Sequence, residues 1–133
     1  MPLFDFTKDK RANVRSIKRR TLKMIMEASK SSYPNEFGAI LRAEEGVIDE
    51  LLLLPGTESG ERSALFRFHM LPVDFSVVGT VHSHPSGACR PSEADLELFR
   101  RRGWVHIIVC MPYDMSSWRA YNGLGEPMHL DVV

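Results

Sequence analysis

The chain has 133 residues, 44% of them hydrophobic, which fits one compact domain that buries most of the surface exposed by its unfolded form. Basic and acidic residues number 17 each, so the charge balance gives no reason to propose a nucleic-acid partner or an anionic membrane. Apolar runs such as the leucines at 51–54 are far below the ~20 residues that cross a bilayer, and the amino terminus lacks a secretory signal, so we expect a cytoplasmic protein.

The amino-terminal segment is strongly basic. Residues 1–23 hold eight basic and two acidic residues, a net charge of about +6 that the remainder balances with about −6. We predict a basic arm at residues 1–13 and a domain at residues 14–133. A solvated arm is the simpler interpretation, and a contact with phosphate or an acidic partner is the alternative. The sequence leaves open whether the arm is disordered or folds back through Phe4 and Phe6.

The first element is an amphipathic helix. Apolar or small residues recur at three- and four-residue steps, with basic residues elsewhere on the wheel; these inner positions are Val14, Ile17, Thr21, Ile25 and Ala28. We predict that the helix ends near Ser31, because Pro34 disfavours helical geometry at Tyr33.

Most of the remaining elements read as strands. Runs rich in β-branched, aromatic and leucine residues are separated by turn signals such as Glu45-Gly46 and Asn122-Gly123. The predicted strands lie within residues 36–43, 47–55, 63–70, 75–84, 104–112, 117–122 and 128–133. With the helices, they indicate an α/β fold in which a mixed sheet is flanked by helices.

A second helix begins after the fourth of these runs. Ser92 can cap it, Asp95 occupies the capping-box position, Leu96 and Phe99 form its inner face, and Gly103 stops it.

Two histidines at the end of the run at 75–84 carry the first functional signal. Residues two apart in a strand point to one side about 6.7 Å apart, so His82 and His84 can direct both imidazoles at one ion, which a helix would not allow. Asp95, in the first turn of the next helix, is the third candidate ligand of a catalytic zinc site. The alternative is that Ser92 and Asp95 are only a helix cap.

Zinc held by three protein ligands lowers the pKa of a bound water and polarises a carbonyl, and hydrolysis then needs a general base. Glu36 is the best candidate for this base, because it follows a proline turn and opens an apolar strand, so it would lie at the end of the sheet. An ordinary exposed acid at a strand end is the alternative.

These residues together resemble the JAMM (MPN+) motif of zinc metalloproteases. Glu36 is followed by "HSHP" at 82–85 and by Ser92 and Asp95, with seven residues between His84 and Ser92 and two between Ser92 and Asp95. The similarity extends over about residues 16–133 and is strongest to the compact archaeal and bacterial members, through "GTVHSHPS", "CRPSEADL" and "HIIVC".

The resemblance implies an MPN domain with a cytidine deaminase-like fold. It implies one Zn²⁺ held by His82, His84 and Asp95, a water activated by Glu36, and a hydrogen bond from Ser92 to that water or to the developing oxyanion. The family cleaves isopeptide or peptide bonds after the carboxyl terminus of ubiquitin or ubiquitin-like proteins, which in prokaryotes are small β-grasp modifiers that also act as sulfur carriers. The modifier's tail would bind extended, by adding a strand at an exposed edge.

Other members of this fold fit the sequence less well. A cytidine-type deaminase needs a glutamate two residues after its histidine, where this chain has His84. A purely structural zinc needs a fourth ligand, for which Cys89 is the nearby thiol. A non-catalytic MPN scaffold with a structural zinc is the rival from another functional class, although such scaffolds lose the ligands present here. The sequence leaves the oligomeric state open.

Cys89 and Cys110 can form a disulfide if their Cα atoms approach within about 7 Å, because the run ending at Cys110 is expected to pair with the histidine strand. Two free thiols are the alternative in a reducing compartment. We expect structural roles for His69, His106 and His129, and core positions for Trp104 and Trp118.

Overall fold

The computed structural model of the protein describes residues 10–53, 75–101 and 103–133. Its helices are α1 (Arg19–Ser32) and α2 (Glu93–Arg101), and a 3₁₀ turn spans Lys10–Asn13. Its strands are β1 (Ser16–Ile17), β2 (Gly38–Glu44), β3 (Val47–Leu52), β4 (Val77–His84), β5 (Val105–Cys110), β6 (Trp118–Tyr121), β7 (Pro127–Met128) and β8 (Asp131–Val132). The strand predicted at 63–70 lies outside the described residues.

The described strands form one mixed sheet in the order β7-β6-β5-β4-β2-β3-β1-β8. The parallel strands β4 and β5 are joined through α2, while β2 runs antiparallel to both β3 and β4. β4 therefore lies near the middle of the sheet, paired on both sides, and its six inner residues from Val78 to Ser83 are buried.

Each face of the sheet has its own apolar cluster, because successive strand residues point to opposite sides. On one face Leu22 and Ile25 of α1 cluster with Val81 of β4, and on the other Phe99 of α2 clusters with Ile108 of β5. Full burial of each such side chain contributes about 1.5–3 kcal/mol. The predicted α/β fold, a mixed sheet flanked by helices, is confirmed. The strand β4, which ends at His84, lies between α1 and α2.

The predicted start of the first helix is wrong. Val14 and Ile17 are buried as expected, but Ile17 belongs to β1, which pairs in parallel with β3 and β8, and the helix begins only at Arg19. The backbone N–H groups of Lys18 and Arg19 donate to the sheet, at 2.9 Å to Ile48 O and 2.8 Å to Val133 O. A three-residue apolar spacing is typical of a helix, and only the pairing of Ser16 and Ile17 with β3 and β8 makes this stretch a strand.

The predicted turns and helix ends agree with the structure. α1 ends at Ser32, because Tyr33 before Pro34 has extended geometry (φ −51°, ψ 134°). The β2–β3 turn places Glu45 and Gly46 at positive φ (50° and 79°). Gly103, just after α2, has φ +92°, and a Cβ there would lie 2.7 Å from the Cα of Gly79, so its lack of a side chain lets the chain enter β5 beside β4.

The part of the predicted arm that the structure describes, residues 10–13, contacts the domain. Arg11 of the 3₁₀ turn places its guanidinium 4.1 Å from the ring centre of Trp104 and 4.8 Å from that of Phe75. Trp104 is 36% exposed, so its predicted core position is wrong, while Trp118 is half-buried against the apolar cluster beneath α1. Phe4 and Phe6 lie outside the described residues. Neither α1 nor α2 is long and apolar enough to cross a membrane.

Candidate metal centre

His82, His84 and Asp95 converge at the carboxyl end of β4. The Nε2 atoms of the two histidines lie 3.1 Å apart. His82 Nε2 is 3.0 Å from Asp95 Oδ1, and His84 Nε2 is 3.1 Å from Asp95 Oδ2. His82 and Asp95 are buried and His84 is partly exposed. One ligand atom from each of the three lies within 4.8 Å of the others, so the predicted ligands are brought together.

The cap of α2 fixes the carboxylate of this cluster. The backbone N–H of Ser92 donates to Asp95 Oδ2 at 2.8 Å, and the backbone N–H of Asp95 donates to Ser92 Oγ at 3.1 Å. This is the reciprocal capping box that the sequence predicts. The two interpretations of Asp95 are therefore compatible, since the same carboxylate caps the helix and faces both imidazoles.

The donor set fits one zinc ion. His84 Nδ1 lies 3.0 Å from Ala88 O, and because a carbonyl only accepts, this nitrogen carries the hydrogen. When the ring of His84 is neutral, its Nε2 therefore has a free lone pair that points toward His82 and Asp95. A cation bound between these three groups would offset the repulsion between their electron pairs. Two imidazole nitrogens and one carboxylate oxygen are typical of a catalytic zinc site with an open position.

The charges within the cluster shift two pKa values. Burial raises the pKa of the Asp95 carboxyl, but hydrogen bonds from the protonated forms of His82 and His84 and from the Ser92 N–H outweigh it and hold the pKa well below its usual range. The hydrogen bond to Asp95 raises the pKa of His84, opposed by burial. Asp95 is therefore the anionic member of the cluster.

The register of β2 against β4 places Glu36 beside His84. Gly38 pairs with His82, and the Phe37 N–H donates to Ser83 Oγ at 2.8 Å while the Ser83 N–H donates to Phe37 O at 2.9 Å. One step further along this antiparallel pair, Glu36 lies level with His84, and its charge contributes to raising the pKa of His84. Glu36 is half-buried at the end of the sheet, which is the placement predicted for the base.

Three polar contacts at the site have no clear signal in the sequence. The Tyr113 hydroxyl donates to the backbone oxygen of His84 at 3.2 Å, the Ser83 hydroxyl anchors Phe37, and the Ala88 carbonyl orients His84. Ser83 lies between the two histidines and could have been singled out for that position alone. The other two contacts depend on loop paths, which residue types do not reveal.

Cys89 and Cys110 are joined by a disulfide whose Cα atoms are 5.3 Å apart. The pairing of His84 with Cys110 between β4 and β5 brings the second cysteine to the loop that follows His84. The Tyr121 hydroxyl also donates to Cys89 O at 2.8 Å. Because its sulfur is bonded to Cys110, Cys89 is not a thiolate that could complete a structural zinc site.

The other two described histidines, His106 and His129, are not part of this cluster. His106 is fully buried, stacks on Phe99 with ring centres 4.3 Å apart, and has Nδ1 2.7 Å from Thr80 Oγ1, which agrees with a structural role. His129 is exposed and has Nε2 2.7 Å from Asp131 Oδ1. His69 lies outside the described residues.

Comparison with known proteins gives consistent matches. A model of the family described as prokaryotic homologs of the JAB domain matches residues 18–121. A probable metalloprotease of Haloferax volcanii is 42% identical over 122 residues, 84% of this chain and 75% of that protein. The solved structure of a JAB1/MPN domain protein from Archaeoglobus fulgidus is 50% identical, with a TM-score of 0.74, and the match covers 89% of this chain and 98% of that one. A structure described as a JAMM metalloprotease-like zinc site in the proteasome and signalosome is 48% identical, with a TM-score of 0.73, over 90% and 98% of the two chains.

Proposed function

The chain belongs to the prokaryotic homologs of the JAB domain and is a zinc metalloprotease, and from this premise we propose that it hydrolyses the amide bond after the carboxyl terminus of a ubiquitin-like modifier. Such a modifier is a small β-grasp or sulfur-carrier protein joined to a lysine side chain or to another polypeptide. The observation that carries the proposal is the convergence of His82, His84 and Asp95 at the end of β4.

His82, His84 and Asp95 would hold the zinc ion, which when bound lowers the pKa of a coordinated water and polarises the scissile carbonyl. The protein's own groups prepare this site before substrate arrives. The Ala88 carbonyl holds His84 in the tautomer that presents Nε2, and the Ser92 N–H holds the carboxylate of Asp95. Both contacts reduce the reorganisation needed when the ligands act.

Glu36 is the proposed general base. Its position beside His84 and its partial burial at the end of the sheet support this role, because a base must lie near the attacking water. Glu36 would take a proton from the water at a carboxylate oxygen and return it to the departing amine nitrogen. The released products are a free carboxyl terminus and a free amine.

Ser92 is the proposed donor to the developing oxyanion. Its Oγ accepts the Asp95 N–H at 3.1 Å, and the hydroxyl keeps its own hydrogen for donation. The side chain is exposed at the start of α2, so it can reach a substrate carbonyl without rearrangement of the helix.

The modifier's tail would bind extended across the carboxyl end of β4. Among the described strands, β4 is paired on both sides and the sheet's outer strands are β7 and β8, so within this part of the chain a strand added at an edge would not lie next to the histidines. The tail therefore approaches the ligands over the strand ends. A diglycine end suits this approach, because it needs little side-chain space.

The decisive experiment compares the wild-type protein with Glu36→Gln on a β-grasp modifier whose carboxyl terminus is joined to a reporter amine. We expect the variant to retain one zinc per chain by metal analysis and to lose about 10²-fold to 10⁴-fold in rate, the usual effect of removing a general base.

Glu27→Gln is the matched control, because Glu27 is an exposed residue of α1 whose ion pair is with Lys30. It should cleave like the wild type. Equal turnover by Glu36→Gln would refute the assigned base. Equal cleavage of unrelated peptides and of the modifier fusion would refute the assigned substrate class.

A further inference from the structure

A polar cavity lies on the far side of the loop that follows His84. It has a volume of about 480 Å³, within the range of ligand-binding pockets, and is open to solvent. Its walls include Ala88 of the loop, Met111 after β5, Ser116, and the side chains of Arg90, Arg119 and Tyr121. Because the Ala88 carbonyl also accepts the hydrogen bond from His84, the cavity and the metal centre share a wall.

The cavity carries two positive charges without an acidic residue of its own. Within the described ranges, Arg90 and Arg119 both line it, neither has an ion pair, and no aspartate or glutamate belongs to its walls. Asp114, two residues before Ser116, accepts hydrogen bonds from the hydroxyls of Ser116 at 2.8 Å and Ser117 at 2.6 Å. In the part of the chain that the structure describes, no carboxylate is paired with either arginine, so both can bind an anion.

Tyr121 lies in the wall of the cavity together with both arginines. Burial raises the pKa of the Tyr121 hydroxyl, and the charges of Arg119 and Arg90 both oppose this rise. The hydroxyl itself is fixed by its 2.8 Å hydrogen bond to Cys89 O, in the loop held by the disulfide. Arg119 uses Nη1 for the Trp118 carbonyl at 3.0 Å, which leaves its other N–H groups free to bind. Two arginines that line one cavity favour a carboxylate, which a guanidinium group can bind in a bidentate manner.

We propose that Arg90 and Arg119 bind an acidic side chain of the polypeptide substrate, a few residues from the bond that is cleaved. This inference rests on the proposed function, since it takes the substrate to be a polypeptide held at the metal centre. A chain whose scissile amide lies at His84 reaches the cavity by passing the loop at Ala88. The two arginines thus give the enzyme a preference for acidic sequence around the cleaved bond.

The test uses modifier conjugates that carry glutamate or glutamine at each of the first positions on either side of the scissile amide. For the wild type we expect one position at which glutamate lowers KM by about fivefold to tenfold with kcat unchanged, the effect of a charge-assisted pair in a partly exposed pocket. Arg90→Gln combined with Arg119→Gln should abolish this preference and leave cleavage of the glutamine conjugate unaltered.

Arg20→Gln, on the exposed face of α1, is the matched control and should keep the preference. The preference should also weaken as ionic strength rises, because exposed charges are screened. The proposal is overturned if no position favours glutamate in the wild type, or if the preference survives in the double variant.

A binding titration separates this proposal from the proposed function. The full chain, zinc-loaded and carrying Glu36→Gln, is titrated with an acidic peptide, its glutamine counterpart and inorganic phosphate while the amide signals of Ala88 and Ser116 are followed by NMR. Tighter binding of the acidic peptide supports the cavity even if no conjugate is hydrolysed. Equal binding of both peptides, or tighter binding of phosphate, rejects the polypeptide carboxylate as the occupant.

Discussion

Asp95 serves both the cap of α2 and the metal cluster, and two substitutions can separate these roles. Ser92→Ala removes the oxygen that accepts the Asp95 N–H, which should cost about 1 kcal/mol with or without zinc. With an unfolding entropy of about 2.1 cal/mol/K per residue, a chain of 133 residues loses about 4 °C in Tm per kcal/mol. Ser92→Ala should therefore melt about 4 °C lower in both states.

Asp95→Asn keeps an oxygen that can accept the Ser92 N–H, but it removes the anionic ligand. At free zinc of 100 times Kd, binding adds about 2.7 kcal/mol to the wild type, or about 10 °C in Tm. Removing a residue that hydrogen-bonds a metal ligand weakens metal binding by up to about 100-fold, and removing the ligand itself should weaken zinc binding at least as much. The zinc-dependent rise would then fall to about 0.4 kcal/mol, or under about 2 °C.

The assay is thermal unfolding of both variants and the wild type, each with chelator and with buffered zinc. Ser92→Ala should show a lower Tm with an intact zinc-dependent rise, whereas Asp95→Asn should show a small zinc-dependent rise. An Asp95→Asn variant whose Tm rises with zinc as much as that of the wild type would refute the assignment of Asp95 as a ligand.

Two further predictions concern groups around the site. Replacing Cys89 and Cys110 by serine should lower the free energy of unfolding by about 3 kcal/mol, because the disulfide closes a loop between residues 21 apart. The variant should still bind zinc. An unchanged midpoint of urea unfolding would contradict this prediction. Burial lowers the pKa of His106 to about 3, so the unfolded chain protonates this imidazole below about pH 6.5 while the folded chain does not. Its contribution to stability is therefore present above pH 6.5 and is lost as the pH falls toward 3, by up to about 1.4 kcal/mol per pH unit. NMR signals of His106 that titrate near pH 6 in the folded protein would disprove this.

Local rules of the chain were sufficient to predict the ligand-bearing elements. The two-residue period of a strand places His82 and His84 on one side, and the capping box starts a helix at Ser92 and turns Asp95 back toward its own amino end. The stop at Gly103 and the end of α1 before Pro34 follow from backbone preferences of the same local kind. The α/β fold was predicted from the order of strands and helices, and the resemblance to the JAMM motif implied the metalloprotease family and a single zinc.

The errors and omissions share a physical cause. Whether Val14 to Ile17 forms helix or strand depends on hydrogen bonds to β3 and β8, which lie far along the chain. Trp104 is partly exposed and lies against Arg11, a residue far away in the chain, instead of inside an apolar cluster. Side-chain periodicity contains neither piece of information.

The sequence by itself determined which side chains can bind a metal and which local elements present them, because strand alternation and helix capping act within a few residues. Only the tertiary structure decided that Glu36 lies level with His84, that the Ala88 carbonyl orients the imidazole, and that Cys89 meets Cys110. These relations depend on strand register and loop paths, which are set by packing between residues distant in the chain. The placement of Arg90 and Arg119 in one cavity was also decided by the tertiary structure, because only the pairing of β5 with β6 brings Arg119 to the cavity that Arg90 also lines.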